Sequence, residues 1–452
     1  MISPKVIDIV VEDDLCIGCG LCVYACPSKA LEMQWNKHGF LVPNLSGFCD
    51  SNGDCLKVCP FNPFPQIEVR TEDELADRFL KNVPKHHPKI GKFNAIYAGY
   101  TKDFRLTSSS GGMGTYILTK LLSNGIVDHV FSVKKSQEPG LYYEYAISSS
   151  REELLQASKT RYYPVTLGDV MSKIKLIDGK VAIVGVACFI KAIRLAQYKE
   201  QELKDKIPFL VGIICGGVKS RFFTEYLASK VGVEKQNIQN PNFRIKDYNS
   251  TAGDYSFGCT DKSINLEKTI KMRTVGNMWG TGLFKANACD FCDDVTTELA
   301  DISLGDAWLS PYNCDGRGTN VIVARSAIAE LLIQSGIEKD ELIIEELPLE
   351  RFLVSQQGSF NHRHTGLSVR IKEAQKKKHS VPPKRYGNEK VTIDFKIVQK
   401  LRMKVRRKSL EIWVNISNAE GFDREMRSIL KKLKIATIIY HYRQAIGRKL
   451  NK

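Results

Sequence analysis

Near its start the chain reads Cys16-Ile-Gly-Cys19-Gly-Leu-Cys22-Val-Tyr-Ala-Cys26-Pro27, and this stretch decides the fold of everything around it. The spacing, C-x2-C-x2-C-x3-C-P, is one at which thiolates hold an iron–sulfur cluster. Two-residue gaps bring three thiolates together in a tight loop, and the two intervening glycines let the backbone curl without Cβ clashes. The proline redirects the chain, so the fourth thiolate points away from the first three. A zinc site would use separated ligand pairs, so we predict an iron–sulfur cluster.

A second cysteine run follows at Cys49-Asp-Ser-Asn-Gly-Asp-Cys55-Leu-Lys-Val-Cys59-Pro60, with Asn52 where another Cys would complete the pattern. If the runs cross over as in two-cluster ferredoxins, a first N-terminal site holds a complete 4Fe-4S cluster through Cys16, Cys19, Cys22 and Cys59. A second N-terminal site then has three thiolates, from Cys26, Cys49 and Cys55. Its fourth iron is absent, giving 3Fe-4S, or is bound by Asp50, Asp54 or water. An empty second site is the alternative.

The length and the distribution of charge limit the class of protein. The chain has 452 residues, enough for two or three domains. Residues 370–452 hold 24 Lys or Arg and 7 Asp or Glu, which gives this segment a net charge of +17. The net charge of the whole chain is +16, so residues 1–369 have a net charge of −1. A neutral body does not predict nucleic-acid binding. No apolar run reaches the roughly 18 residues of a spanning helix, and no secretory signal is visible. The 13 cysteines therefore predict metal ligation in a reducing cytoplasm rather than disulfides.

The patterns along the chain predict five segments. Residues 1–70 form a two-cluster ferredoxin-type domain, 71–92 a linker, 93–180 and 181–345 the two parts of a body, and 346–452 a basic helical tail. In the body, apolar strands such as 180–186 and 208–214 alternate with helices, which predicts a parallel or mixed sheet covered on both faces. The predicted fold class is therefore mixed α/β for the body, and α+β for the whole chain with its ferredoxin-type domain and helical tail. Functional sites are expected at the carboxyl ends of the strands.

Four further cysteines form a candidate body quartet. Cys188 and Cys215 fall at predicted strand ends, and Cys289-Asp-Phe-Cys292 adds a C-x2-C pair, which makes the four thiolates that a cluster needs. The alternative is that Cys188 and Cys215 are small buried core residues, and spacing alone leaves the two interpretations equal.

Candidate anion-binding residues lie between a predicted strand and a helix. Small hydroxyls and bare backbone amides at a helix start make a phosphate cradle, although serine capping alone explains such a pattern. Two basic residues before a Tyr-Tyr-Pro sequence could bind a phosphate or carboxylate or form a solvated patch, and one Asp ends a strand beside Trp308. These candidates are Ser108, Ser109, Ser110, Gly111, Gly112, Lys159, Arg161 and Asp306.

Together these residues resemble the beta-subunit family of coenzyme F420 hydrogenases and dehydrogenases, to which plant 7-hydroxymethyl chlorophyll a reductase is related. The resemblance runs in order over residues 10–340. Its most specific part is the C-x2-C pair followed by Ala300-Asp301-Ile-Ser-Leu-Gly305-Asp306-Ala-Trp308, which matches the family's Ala-Asp-Ile-Ser-x-Gly-Asp-x-Trp. Residues 109–112 correspond to its SSGG helix start. The family's Gly-x-Pro-Cys-Gln and Cys-His-Gly elements correspond to the segments around Cys188 and Cys215.

The resemblance implies a function. It implies FAD together with iron–sulfur clusters, makes the body quartet a cluster site, and makes 108–112 a FAD phosphate site with Lys159, Arg161 and Asp306 as flavin or substrate neighbours. Ala187, Phe189 and Gly216 depart from the family's Pro, Gln and His, which puts the substrate in question, including whether coenzyme F420 itself is used. Many bacterial members resemble accessory enzymes of polysaccharide synthesis.

The sequence therefore predicts an oxidoreductase that passes electrons between ferredoxin-type clusters and FAD, with a redox partner and an unidentified small-molecule substrate. No catalytic residue can be assigned. The alternative is an electron-transfer subunit or adaptor without its own substrate site. The tail combines basic runs such as Lys376-Lys-Lys378 with apolar residues such as Ile438 and Ile439. Two interpretations are equally supported: attachment to an anionic membrane surface, and a helical cap docked on the body. Nucleic-acid binding is a weaker third interpretation.

Overall fold

The computed structural model describes residues 3–450. In chain order its strands are β1 (Leu31–Trp35), β2 (Leu41–Leu45), β3 (Lys85–His87), β4 (Gly91–Phe93), β5 (Ala95–Thr101), β6 (His129–Lys135), β7 (Tyr143–Ser148), β8 (Val181–Val186), β9 (Phe209–Ile213), β10 (Ile238–Ile245), β11 (Ser256–Asp261), β12 (Leu266–Lys271), β13 (Ile302–Asp306), β14 (Asn320–Ala324) and β15 (Leu342–Glu346). Short 3₁₀ or π turns occupy Ile7–Val11, Ile67–Val69, Lys235–Asn237, Asn287–Phe291, Tyr312–Cys314 and Asn361–Thr365.

The α-helices are α1 (Leu21–Tyr24), α2 (Asp54–Lys57), α3 (Glu72–Phe79), α4 (Met113–Ser123), α5 (Arg151–Leu155), α6 (Gly168–Leu176), α7 (Ala187–Lys199), α8 (Glu202–Lys206), α9 (Arg221–Lys230), α10 (Met272–Val275), α11 (Ala327–Glu338), α12 (Leu349–Ser355), α13 (Gln357–Phe360), α14 (Leu367–Lys376), α15 (Ile393–Ile416) and α16 (Ala419–Leu450). Helices dominate the segment after β15, as the sequence predicts for the tail.

One mixed sheet of eight strands organises the body, in the order β15-β5-β14-β13-β9-β8-β6-β7. Strands β6, β8, β9 and β13 are mutually parallel, and β14 runs antiparallel to both β13 and β5. The central strands β8 and β9 are almost wholly apolar because both sheet faces are covered by helices. The mixed α/β fold predicted from the alternating pattern is confirmed.

The carboxyl ends of β5, β8, β9 and β13 meet at one edge of this sheet, since these four strands share a direction. The serine-rich loop follows β5, Cys188 follows β8, Cys215 follows β9, and Asp306 ends β13. Topology therefore gathers candidate residues that lie up to 200 positions apart in the chain. In doubly covered sheets this edge is where ligands bind.

The N-terminal module docks directly on the body. The backbone amide of Leu167 donates to the carbonyl of Cys19 at 2.8 Å. Gly20 has φ +81°, and a Cβ there would lie 2.1 Å from the Thr166 hydroxyl, so only glycine permits this approach. Apolar side chains of the module and the body share one continuous core.

The segment predicted as a linker, 71–92, is folded rather than extended across the surface. Thr71 and Glu74 form a capping box at the start of α3, and β3 pairs with β4. Glu72 is buried and its carboxylate lies 3.0 Å from the Lys191 ammonium on α7. The sequence could not show this because Lys191 lies more than 100 residues farther along the chain.

The basic tail packs on the body as a helical hairpin of α15 and α16. The Trp413 ring is buried, and its indole donates to Glu225 on α9 at 3.0 Å. Phe422, Met426 and Leu433 complete an apolar core with α9. The docked cap that the sequence left as one of two interpretations is thus present. Within residues 3–450, no helix combines the length and apolar character that crossing a bilayer requires.

Candidate redox centre

The first N-terminal site surrounds a small cavity. Cys16, Cys19, Cys22 and Cys59 all line it, together with apolar residues such as Val6, Val10 and Phe61. Burial, followed by the neighbouring thiols, raises the pKa of Cys16 to about 12 and that of Cys22 well above its usual value. Four thiols cannot ionise together in an apolar cavity without a compensating cation. Iron supplies that cation and displaces the protons, so the donor set fits a cluster.

The second N-terminal site brings Cys26, Cys49 and Cys55 together. The pKa of Cys55 is raised first by burial and then by the thiols of the other two. Backbone amides of Ala30 and Ser51 donate to the sulfurs of Cys26 and Cys49 at 3.3 and 3.4 Å. These amides are the kind of donor that stabilises ligating thiolates.

Asp54 and Asn52 bear on the missing fourth ligand of this site. The two carboxylate oxygens of Asp54 accept from Lys57 at 2.9 Å and from Lys199 at 2.8 Å. The Asn52 side chain accepts from the backbone amide of Asp54 at 2.9 Å. Both oxygens of Asp54 are thereby engaged, which favours Asp50 or water over Asp54 for a fourth iron.

The structure also brings the body quartet together. Burial raises the pKa of Cys188 well above its usual value, with further contributions from Cys292, Cys289 and Cys215. Cys188 lies in the first turn of α7, where the helix dipole favours a thiolate. The backbone amides of Gly217 and Val218 donate to the sulfurs of Cys215 and Cys289, each at 3.2 Å. Four converging thiols with aimed amides fit a cluster better than isolated core cysteines.

In residues 3–450, no three His, Cys, Asp or Glu side chains converge tightly enough to hold a single metal ion.

A buried cation contacts the body quartet, and the sequence patterns did not predict it. The Arg363 guanidinium donates to the Cys292 sulfur at 3.1 Å and to the carbonyls of Asp294 and Cys215. Nearby, Lys285 is buried and lies 2.6 Å from Asp290. Arg363 belongs to the segment after β15 that carries no cysteine, so no local motif could have pointed to it.

The two complete thiol sites are neighbours. Cys19 of the first N-terminal site adds to the upward shift of the Cys188 pKa. The Tyr145 ring lies beside both thiols, whose charges add to the effect of burial in raising its pKa, and its hydroxyl donates to the Val184 carbonyl at 2.8 Å. Pro60 and Phe61 line both the cavity of the first site and a second cavity beside Cys188 and Cys292, so the two thiol sites lie next to each other.

The serine-rich loop is tied down on several sides. The Ser109 hydroxyl accepts from the Thr160 amide at 2.9 Å, and the Ser110 hydroxyl donates to the Thr319 carbonyl at 3.2 Å. Ser108 pairs with Thr115 at 3.3 Å. Gly112, the residue before α4, has φ +85°. A Cβ on Gly111 would lie 2.7 Å from the Asn320 side chain. The predicted phosphate loop is thus a rigid helix start whose three hydroxyls already have protein partners.

Cations gather beside this loop and form what we call the anion pocket: Arg105, Lys159, Arg161, Arg244 and Lys246. The Lys246 ammonium donates to the Ser110 carbonyl at 2.7 Å and the Arg317 carbonyl at 2.6 Å. Burial and then Lys159, Arg244 and Arg105 lower the pKa of Lys246 to about 7. Arg105 and Arg244 are paired with Asp315 and Asp306. The remaining positive charge is what a phosphate-bearing ligand would relieve.

Only some of the pocket was predicted. Lys159 and Arg161 were expected, whereas Lys246, Arg244 and Arg105 were missed. Arg244 and Lys246 alternate around Ile245, the last residue of β10, and this period of two is the signal that could have revealed them. Asp306 accepts from Arg244 at 2.6 Å, so its carboxylate is paired within the protein and orients that cation.

Aromatic side chains fill the space between the anion pocket and the body quartet. The Tyr162 and Trp279 rings meet edge to face at 4.7 Å. The Tyr162 ring also meets the ring of Phe243, the residue before Arg244, edge to face at 5.6 Å. A Cβ on Gly216 would lie 3.0 Å from the Trp279 ring, so this ring sits close to where the family has a histidine side chain. Both rings are half-buried and form an aromatic surface, which suits a flat ring system.

Comparison with known proteins follows the same division of the chain. Residues 15–63 match a 4Fe-4S dicluster domain. Residues 96–172 and 178–350 match the N-terminal and C-terminal parts of the coenzyme F420 hydrogenase/dehydrogenase beta subunit. The chain belongs to the coenzyme F420 hydrogenase/dehydrogenase beta-subunit family. The family named from motifs in the sequence is therefore confirmed, as is the ferredoxin-type domain in front of it.

Individual members of this family resemble the chain at low identity. One subunit of the F(420)H(2) dehydrogenase of Methanosarcina mazei is 23% identical over 357 residues, covering 76% of this chain and 88% of the relative. Coenzyme F420-dependent sulfite reductase of Methanocaldococcus jannaschii is 22% identical over 371 residues, covering 76% of this chain and 50% of the relative. The chain thus spans half the length of that reductase. These relatives place it among iron–sulfur electron-transfer proteins of F420-dependent oxidoreductases.

A solved structure shows the same fold. A chain of the F420-reducing NiFe hydrogenase complex from Methanosarcina barkeri superposes with a TM-score of 0.50 at 17% identity, covering 66% of this chain and 99% of that chain. At this identity the likeness concerns the fold. The rest of this chain lies outside the superposed region.

Proposed function

We propose that this chain is an oxidoreductase that depends on iron–sulfur clusters and FAD. It would pass electrons between the N-terminal clusters and FAD through the body quartet. The observation that carries the proposal is the order of sites. Pro60 and Phe61 line both the cavity of the first N-terminal site and a cavity beside Cys188 and Cys292. On the other side of the quartet, the Tyr162 ring meets Trp279, which packs on Gly216, and Phe243, which precedes Arg244 of the anion pocket.

When bound, the clusters supply single electrons and a flavin exchanges pairs of them with a substrate as hydride. The protein's own residues do the rest. The anion pocket would bind the charged phosphates beside the start of α4, where the first helical amide, that of Met113, already donates to the Asn320 side chain. Amides such as Gly217 N–H hold the thiolate geometry. The Tyr162 and Trp279 rings, which meet edge to face, would offer an apolar surface to the flavin ring.

The cofactor content of anaerobically purified protein tests the proposal. We expect bound flavin together with iron and sulfide sufficient for three sites. Changing Lys246→Met should reduce flavin content and leave iron content unchanged, because Lys246 lies in the anion pocket and contacts no thiol. The matched control is Lys262→Met, since Lys262 is exposed on the β11–β12 turn. Iron–sulfur protein without any flavin would contradict the FAD assignment.

The pH dependence of binding provides a second measurement on the same pocket. Lys246 is charged below its pKa of about 7 and neutral above it. Affinity for an anionic ligand should therefore fall as pH rises through 7, by up to about tenfold per pH unit. Titration of apo-protein with FAD at several pH values measures this slope, and Lys246→Met should flatten it.

A second candidate function is an electron-transfer subunit without its own substrate site. The names of two relatives favour it, since each is called a subunit. Such a protein would hold full iron content, lack flavin and turn over only with a partner protein. Because the relatives are named for coenzyme F420, reduced F420 is the first carrier to test. No described feature of the anion pocket favours a saccharide over another substrate.

A further inference from the structure

The outer face of α16 carries a row of large apolar side chains in contact with solvent. Tyr442 is 68% exposed and Ile438 57% exposed. The α16 stripe consists of Ile435, Ile438, Ile439, Tyr442 and Ile446, all exposed. Their spacing of three, four, seven and eleven residues places them on one side of the helix. Leu433 and Met426 on the opposite side are buried against the body.

The charge around this stripe has one sign. From position 426 to 452 the chain has eight Lys or Arg and no Asp or Glu. Lys431, Lys432, Lys434 and Arg443 are exposed next to the stripe. Among the described residues, the three lysines have no carboxylate within ion-pair distance. Their charges therefore face solvent uncompensated.

The start of α15 extends the apolar surface. The Phe395 and Tyr440 rings meet at 5.0 Å, which places the first turns of α15 beside the last turns of α16. Ile393 is 77% exposed there, and Ile397 is exposed one turn later. The one acid in these turns, Asp394, is held by the Thr392 hydroxyl and lies near Arg443.

We propose that the α16 stripe binds the surface of an anionic lipid bilayer. An interfacial helix buries its apolar face among acyl chains and places Lys and Arg among the headgroups. The stripe and its flanking cations have this arrangement, and the opposite helix face is already committed to the body. A second copy of the chain would bring the same cations face to face, and that repulsion disfavours self-association as the occupant. This surface lies apart from the thiol sites and is independent of the proposed redox function.

Flotation with lipid vesicles tests the proposal on the full chain. We expect binding to vesicles of equal parts phosphatidylcholine and phosphatidylglycerol, and none to pure phosphatidylcholine. The double change Ile438→Asn with Tyr442→Asn should weaken binding at least tenfold, because each side chain loses its apolar burial. Each of Lys431→Gln, Lys432→Gln and Lys434→Gln should weaken it roughly fivefold. The control is Leu176→Asn, since Leu176 is an even more exposed apolar residue, on α6 and outside the stripe.

Iron content and sedimentation mass separate the outcomes. All variants should keep the iron content of the unchanged protein, because the stripe touches no thiol site. Absence of binding to anionic vesicles would overturn the proposal, as would binding that the Ile438 and Tyr442 changes do not weaken. If the unchanged protein is dimeric and the double variant monomeric, without vesicle binding, the stripe is an interface between copies and the proposal is wrong.

Discussion

The first N-terminal site and the body quartet each contain four thiols, but one set lies among apolar side chains and the other beside charged ones. The first lies in a cavity lined by valine, isoleucine, proline and phenylalanine side chains. The body quartet lies beside the Arg363 guanidinium, with the buried Lys285 close to Cys289. Apolar burial disfavours charge in either redox state, whereas a fixed cation stabilises the additional electron of a reduced cluster.

This contrast predicts a direction for electron transfer within the chain. A cluster bound by the body quartet should have the higher reduction potential, because added negative charge is favoured by nearby cations. Electrons would then move from the N-terminal module toward the anion pocket. The two sites lie next to each other along this route, since Pro60 and Phe61 line the cavities of both.

The largest expected effect comes from removing one thiol of the body quartet. Cys215→Ser should abolish its cluster and lower iron content by about four per chain, with the N-terminal clusters still visible by EPR. The buried Cys259 lies in β11 outside all three sites, so Cys259→Ser is the matched control and should leave iron unchanged. Full iron content in the Cys215 variant would mean that the quartet holds no cluster.

The next largest effect concerns the ion pairs that tie α3 to the body next to Cys292. Arg385 lies after α14 and reaches Glu298 of the body at 2.6 Å and Asp73 of α3 at 3.1 Å. Arg385→Ala would leave Glu298 buried without its partner, at a cost of about 3–5 kcal/mol in the free energy of unfolding. The control Lys400→Ala breaks a surface pair with Glu373 and should cost about 0–1 kcal/mol. Urea unfolding followed by circular dichroism measures both, and equal costs would contradict the bridging role of Arg385.

The same contrast shows what sequence can predict. The cysteine spacing in 16–27 is local, so it predicts the first N-terminal site with only the crossover to Cys59 left to infer. The carboxyl-end rule brought Cys188 and Cys215 to one edge of the sheet, because strand direction follows from the alternation of apolar strands and helices. The resemblance then favoured one cluster site formed by these two cysteines together with Cys289 and Cys292.

Residues that act through long-range packing escaped prediction. Arg363 and Arg385 lie in segments with no motif, and they reach the quartet and α3 only because the tail folds back over the body. Lys246 looked like an ordinary strand-end lysine, since its three carbonyl partners come from distant loops. Charge counts along the chain assigned the tail's basic residues to solvent, although Arg370 and Arg406 are buried.

Arg363 provides the direct test of the electrostatic difference between the two sites. Arg363→Gln should lower the potential of the body cluster by on the order of 60 mV, about tenfold in equilibrium constant. The reason is that a hydrogen bond to a charged group contributes about 1.5–3 kcal/mol, of which part differs between redox states. Redox titration monitored by EPR measures it. Arg363→Lys should recover part of the shift by keeping the charge.

The surface residue Arg351 serves as the control for that titration, because its guanidinium donates to the Ser310 carbonyl away from the thiols. Arg351→Gln should change neither potential. A uniform shift of all clusters in the Arg363 variant would point to a general structural change rather than to the local cation. An unchanged body potential would remove the basis for the proposed direction of electron transfer.

The smallest expected change extends the comparison to the second N-terminal site. Asn52→Cys would place a fourth thiol where the two cysteine runs differ. We expect about one additional iron per chain, with loss of any 3Fe-4S EPR signal from the oxidised protein and no change at the other two sites. The substitution also removes the hydrogen bond from the Asp54 amide to the Asn52 side chain, so Asn52→Ser, which keeps an acceptor but adds no thiol, is the control. Unchanged iron in the Cys variant would mean that the loop holds position 52 away from the cluster, and the missing thiolate would then be a property of the fold rather than of one residue.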